Sequence, residues 1–158
     1  MNRPVVRVTG AKAPRIASRR EPAKQLVALD DKFVEIDGER FAGLHLLLEF
    51  WGAQSLDDEH FIETALRRAA EAAGATILDI RLHKFLSSGG VTGVALLAES
   101  HISIHTWPER DYAAIDIFMC GDCDAYQAVA PLEQAFAPAK FEISENRRGS
   151  LSAKAHTP

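Results

Sequence analysis

The sequence predicts an α/β fold of the α+β type: a two-layer sandwich in which a largely antiparallel sheet carries two helices on one face. Three observations predict it. Short apolar runs that alternate with period two recur along the chain, only two stretches have helical periodicity, and the strands group in consecutive pairs around those helices. With 158 residues, 47% hydrophobic and 25% charged, the chain has enough apolar material for one core and too little for two.

The first element is not structural. Residues 1–24 hold seven basic residues against one acid, Glu21, with no hydrophobic period, so residues 1–30 are expected to be a disordered basic tail and 31–158 a single domain. Order is expected near Phe33. GLHLLLEFWGA (43–53) is a strongly apolar run closed by small residues, as in a strand buried on at least one face. In the segment that follows, Phe61, Ile62, Ala65, Leu66, Ala69 and Ala70 recur at helical spacing, Ser55 and Asp58 resemble an N-terminal cap, and Gly74 is a stop, giving a helix over 56–73.

TILDIRLHKF (76–85) alternates as a strand, SSGG breaks it, and VTGVALLA (91–98) and HISIHTW (101–107) are the next two. WPERD turns the chain and YAAIDIFMC (112–120) alternates again. The segment 122–136 has acids in its first turn and Ala125, Val129, Leu132 and Phe136 on one side, a second helix bent at Pro131, and KFEIS closes as a strand. The strand-helix-strand layout occurs twice, consistent with an internal duplication. Two helices cover only one face of such a sheet, so the other must meet solvent, ligand or a second subunit, and a homodimer is expected.

The net charge of −4 gives no reason to expect nucleic-acid binding. No run approaches the roughly 18 apolar residues of a membrane span, and the first 25 residues lack an apolar signal core, so a cytoplasmic protein without membrane attachment is expected. The two cysteines, Cys120 and Cys123, cannot make a disulfide scaffold.

Reactive side chains concentrate in LAESHISIHTWP (97–108) and MCGDC (119–123). Zinc prefers histidine and thiolate, but His101 and His105 on one strand lie roughly 13 Å apart, too far for one ion, so no metal is expected. Cys120 and Cys123 form a C-x-x-C at a strand-to-helix junction, where Asp122 and Asp124 oppose a thiolate. A triad of Ser100, His105 and Asp116 lacks the flanking glycines of a nucleophile elbow. Parity puts His101, Ser103, His105 and Trp107 on one face with Tyr112, Asp116 and Cys120, and Ile102 and Ile104 on the other. Ser100 has the parity opposite to His105, so the strand must break near Glu99 for the two to meet. These residues suggest an active site on the helix-free face and name no reaction.

GVTGVALLAESHISIHTWPERDYAAIDIFMCGD (90–122) closely resembles the pyruvoyl-dependent S-adenosylmethionine decarboxylase proenzymes of bacteria and archaea. The likeness extends to GLHLLLEFWGA, the DDEHFIE helix and LHKF, roughly residues 42–146. It implies self-cleavage at Glu99-Ser100 into a β chain, 1–99, and an α chain, 100–158, with Ser100 converted into a pyruvoyl group. The pyruvoyl ketone would then form a Schiff base with the substrate amine and act as electron sink for loss of CO₂. By the same resemblance His105 assists processing, as does Thr92 where relatives carry serine, and Cys120 returns the proton to the α-carbon. Phe85 matches the phenylalanine that stacks on adenine opposite His105, and Glu109 is a candidate substrate contact.

One departure bears on the substrate. Relatives have one residue fewer between the phenylalanine of H-x-F and the G-V-[ST]-G turn than HKFLSSGGVTG has here. Arginine or ornithine therefore stands as an alternative substrate, with Glu49, Glu109 or Asp116 available to a distal cation, and a non-catalytic regulatory member of the family is the reading from a different class. The product expected of the leading reading is the aminopropyl donor of spermidine biosynthesis.

Overall fold

The computed structural model describes residues 6–8 and 32–151. Its strands are β1 (Val6–Val8), β2 (Val34–Ile36), β3 (Glu39–Phe41), β4 (Gly43–Trp51), β5 (Ile77–Lys84), β6 (Val91–Leu97), β7 (Ser100–Trp107), β8 (Tyr112–Met119) and β9 (Lys140–Arg148), and its helices are α1 (Glu59–Ala72) and α2 (Val129–Phe136). All but β2 and β3 join one antiparallel sheet in the order β1-β9-β4-β8-β7-β6-β5.

Both helices are crossover connections. α1 carries the chain from β4 to the parallel strand β5 over three intervening strands, and α2 carries it from β8 to the parallel strand β9 over one, in the opposite direction. The two pairs point opposite ways. Right-handed crossovers then place both helices on the same face, the two-layer sandwich that the sequence predicts. There α1 buries Ile62, Ala65, Leu66, Ala69 and Ala70, and its Phe61 meets Phe136 of α2 edge-on at 5.7 Å. Phe50 of β4 packs against Phe136 and Phe141, and each such fully buried side chain contributes about 1.5–3 kcal/mol.

The helix boundaries have local causes. Asp58 caps α1 by accepting the Phe61 N–H at 3.0 Å, so the helix starts three residues after the predicted 56. At the other end Gly74 takes a φ of +75°, and the Gly74 and Ala75 N–H groups donate back to Glu71 and Ala70. The second helix is not bent at Pro131 but divided before it. Ala125–Ala128 is a 3-10 turn capped by Asp124, and α2 begins at Val129, which puts Pro131 in the first helical turn where its missing N–H costs nothing.

Two elements were not foreseen. Val34–Ile36 and Glu39–Phe41 form a hairpin through Asp37-Gly38, whose φ values of 53° and 76° are those of a two-residue turn. Arg147 holds it through Glu39 at 2.6 Å, with its guanidinium 5.4 Å from the buried Phe41 ring. Val6–Val8 lies within the stretch expected to be a disordered tail, yet pairs with β9 as an edge strand. The rest of that stretch, 1–5 and 9–31, lies outside the described residues.

Candidate active site

Parity sorts the sheet as expected for most positions. Ile102 and Ile104 are fully buried toward the helices, as are Ile115, Ile117 and Met119 of β8, while His101, Ser103, His105 and Trp107 face away. The open face is neither dry nor uniformly polar. Trp51, Tyr112 and Trp107 stack in a row with centroids 5.7 and 5.2 Å apart, and Tyr112 donates to Glu49. Burial and that carboxylate raise the Tyr112 hydroxyl to about 12.

Below this row, Ser103 Oγ donates to Asp116 at 3.0 Å and His45 Nε2 faces the same carboxylate at 3.4 Å. Desolvation holds His45 below its ordinary imidazole value, opposed by Asp116 and aided by Arg148 and His101. The sequence reading passed over His45 because one histidine in an apolar strand carries no signal until β4 is placed beside β8.

The predicted site residues fall into two groups at opposite ends of β7. Glu99, Ser100 and Cys120 form the first. Residues 98 and 99 are the two-residue turn between β6 and β7, where Leu97 pairs with Ser100. Glu99 is left with a φ of +70°, a left-handed conformation costing a residue with a Cβ roughly 1–2 kcal/mol. Its carbonyl accepts the Cys120 thiol at 2.9 Å. The Cys120 N–H donates to Ser100 Oγ at 3.2 Å, and the two side chains meet at 3.5 Å. Cys120 was expected on the open face by parity; β8 ends at Met119, so alternation no longer governs it, and its thiol turns to Ser100, which is buried.

Thr92 and His105 form the second group. They are directly paired across β6 and β7, with Thr92 Oγ1 and His105 Nδ1 2.9 Å apart. Five steps of strand separate His105 from Ser100, about 16 Å, and their side chains have opposite parity. Phe85 and Glu109 are exposed near the His105 end, one following β5 and the other in the 3-10 turn Pro108–Arg110 after Trp107. The ring beside Phe85 is His83 at 4.8 Å, and His105 lies two strands away, about 10 Å across the sheet. The residues around Phe85 close a loop in which the Phe85 N–H donates to Gly90 and the Gly89 N–H to Phe85, and Lys84 ties it to the Asp57 carbonyl at 2.6 Å.

Among the described residues no group of three or more His, Cys, Asp or Glu is placed to hold a metal ion, and no helix is long and apolar enough to cross a membrane.

Fold and site define a class: two-layer α/β proteins in which a Glu-Ser peptide bond is held on a strained hairpin turn against a cysteine. Comparison with known proteins supplies the family. The S-adenosylmethionine decarboxylase family model matches residues 44–149. The chain is 50% identical over 112 residues to the S-adenosylmethionine decarboxylase proenzyme of Methanococcus aeolicus, covering 69% of this chain and 95% of that one. It is 41% identical over 110 residues to the proenzyme of the same name from Thermomicrobium roseum, with coverage of 69% and 95%. The crystal structure of the adenosylmethionine decarboxylase of Aquifex aeolicus superposes with a TM-score of 0.63 at 31% identity, over 74% of this chain and 98% of that one. The chain belongs to the S-adenosylmethionine decarboxylase family, and with it to the carboxy-lyases.

Proposed function

We propose that the chain cuts itself between Glu99 and Ser100 and then decarboxylates S-adenosylmethionine to the aminopropyl donor used for spermidine, in a cytoplasmic setting. The observation that carries the cleavage is the Glu99 carbonyl: it sits on a left-handed turn, accepts a thiol hydrogen bond and adjoins Ser100 Oγ. A carbonyl polarised in this way is open to attack by the following hydroxyl, and cleavage releases the turn strain. Ser100 Oγ takes over the acyl group of Glu99 as an ester, elimination frees the Glu99 carboxylate, and water hydrolyses the dehydroalanine, releasing ammonia and leaving a pyruvoyl group at residue 100. His105 with Thr92 is the base of this sequence.

The surroundings of Ser100 fit that group. A small buried residue at a strand start, with a backbone N–H and a thiol directed at it, becomes a carbonyl-bearing chain end without needing new space. The pyruvoyl group would supply the electron sink for loss of CO₂. Cys120 holds the proton to be returned to the α-carbon, a general-acid role, and its thiol is already at the site. Phe85 supplies an aromatic face for adenine and sulfonium, with His105 opposite, and Glu109 a polar contact at the rim.

This assignment asks the two groups of residues to act together although one chain keeps them about 16 Å apart. A homodimer of αβ units resolves the conflict. If two open faces pack with strands reversed about a two-fold axis, the Thr92 and His105 end of one protomer approaches the Ser100 and Cys120 end of its partner. The aromatic row of Trp51, Tyr112 and Trp107 on that face is the kind of surface a subunit covers.

Two measurements test the proposal. Denaturing mass spectrometry of the purified chain is expected to give fragments 1–99 and 100–158, and an intact chain with serine at 100 would overturn it. Assay of CO₂ release is expected from S-adenosylmethionine and not from arginine or ornithine. The basic amino acids lose ground because relatives at 41–50% identity bear the S-adenosylmethionine name. A non-catalytic role fares no better, since Glu99, Ser100, His105 and Cys120 are all retained.

A further inference from the structure

Cys123 has no part in the reaction just described, yet its position relative to Cys120 is specific. Gly121 and Asp122 form a turn after β8, and the two cysteines stand at its ends, with Gly121 at a φ of +62°. The ends of such a four-residue turn lie within about 7 Å, and disulfides span Cα separations of about 4.4–6.8 Å. Both thiols are free, and neither is buried beyond reach. Cys123 Sγ lies 3.7 Å from the Gly74 carbonyl, a long contact, and its side chain packs half-buried against the core on the same turn that carries Cys120.

We propose that Cys120 and Cys123 are a dithiol that small disulfides oxidise to an internal disulfide, which switches off the site at Cys120. This rests on Cys120 being the proton donor. The Cys120 thiolate attacks one sulfur of glutathione disulfide, that S–S bond breaks and one glutathione thiolate leaves. Cys123 then gives its proton to water and attacks Cys120 Sγ of the mixed disulfide, releasing the second glutathione. The protein loses two electrons and two thiol protons, and one glutathione disulfide becomes two thiols. In the oxidised state Cys120 has no proton for the substrate carbon and none to donate to the Glu99 carbonyl.

Burial, helped by Cys120 and Asp122 and opposed by Lys32, raises the Cys123 thiol above its ordinary value. Ring closure needs the Cys123 thiolate, so a rise in pH is expected to speed it.

The experiment uses the full chain treated with glutathione disulfide, then denatured and alkylated with iodoacetamide. Because both cysteines lie in 100–158, the mass readout works on cut and uncut chain alike. Expected is a species two hydrogens lighter than the reduced protein, carrying neither alkyl group nor glutathione. Decarboxylation falls in parallel by on the order of a hundredfold or more and returns with dithiothreitol. Cys123→Ser keeps wild-type activity when reduced and under the oxidant yields only a glutathione adduct. Two alkylated thiols, or a persistent glutathione adduct on the wild-type chain, would overturn the proposal. Failure of the decarboxylase reading shows instead as an inactive reduced protein whose disulfide still forms.

Discussion

At the scale of single residues, the chemistry turns on Glu99. Its left-handed backbone is a strained ground state in front of a carbonyl that Cys120 polarises. Glu99→Gly removes the strain because glycine accepts positive φ freely, so it is expected to slow self-cleavage by roughly 5- to 30-fold, for 1–2 kcal/mol of relief. The rate at which fragment 100–158 appears during refolding checks this. No sequence pattern disclosed the strain, since an acid before a serine is unremarkable until strand pairing leaves only two residues for the turn. His45 carries a second prediction at this scale. Its depressed value means that the folded state binds fewer protons than the unfolded chain, so its contribution is present above 6.5 and lost as pH falls through the lower folded value. Melting temperature is expected to drop on acidification, and His45→Asn to flatten that drop; an unchanged slope in the variant would contradict the assignment.

At the scale of elements, the ends of the two helices predict changes of opposite sign. Asp58→Ala deletes the cap of α1 and is expected to cost about 0.5–2 kcal/mol in chemical denaturation. Ala137 closes α2 in a left-handed conformation at φ 43°, with its N–H on Glu133. Ala137→Gly is therefore expected to stabilise by about 0.5–1 kcal/mol, since the gain from relieving Cβ strain exceeds the added entropy of the unfolded chain. Neither position touches Ser100, so both variants should cleave normally. These boundaries were largely legible: Asp58 and Gly74 are cap and stop by residue type. The β2–β3 hairpin was missed: Asp37-Gly38 is a turn signal, but its strands of three residues are too short to show alternation.

At the scale of the whole molecule, the separation of Ser100 from His105 bears on the proposed homodimer. If one protomer supplies the Ser100 end of a site and its partner the His105 end, neither end suffices alone. Co-expression of Cys120→Ala with His105→Ala is therefore expected to restore part of the activity that neither variant has alone, because a mixed dimer holds one site with all native residues. Absence of restoration, with mixed dimers verified by mass, would place the whole site within one chain. The residue by which HKFLSSGGVTG is expected to exceed the family pattern belongs to this scale as well. It lies in the loop that Lys84 ties to Asp57, and Leu86 at its tip is fully exposed, so the addition is absorbed outside the sheet register rather than within it.

The sequence by itself determined which side chains could face each other, because alternation along a strand is local and has a fixed period of two. It also disclosed the family, and with it the bond proposed for cleavage, through LAESHISIHTWP and the alternating strand that follows. A fixed rise per residue makes spacing along one strand local too, so the roughly 16 Å between Ser100 and His105 belongs with alternation. Only the tertiary structure decided the neighbours across the sheet, because strand order depends on non-local pairing and the two crossovers, which set His45 of β4 beside β8. The same pairing turned Cys120 from the open face to Ser100, because the strand ended one residue before it.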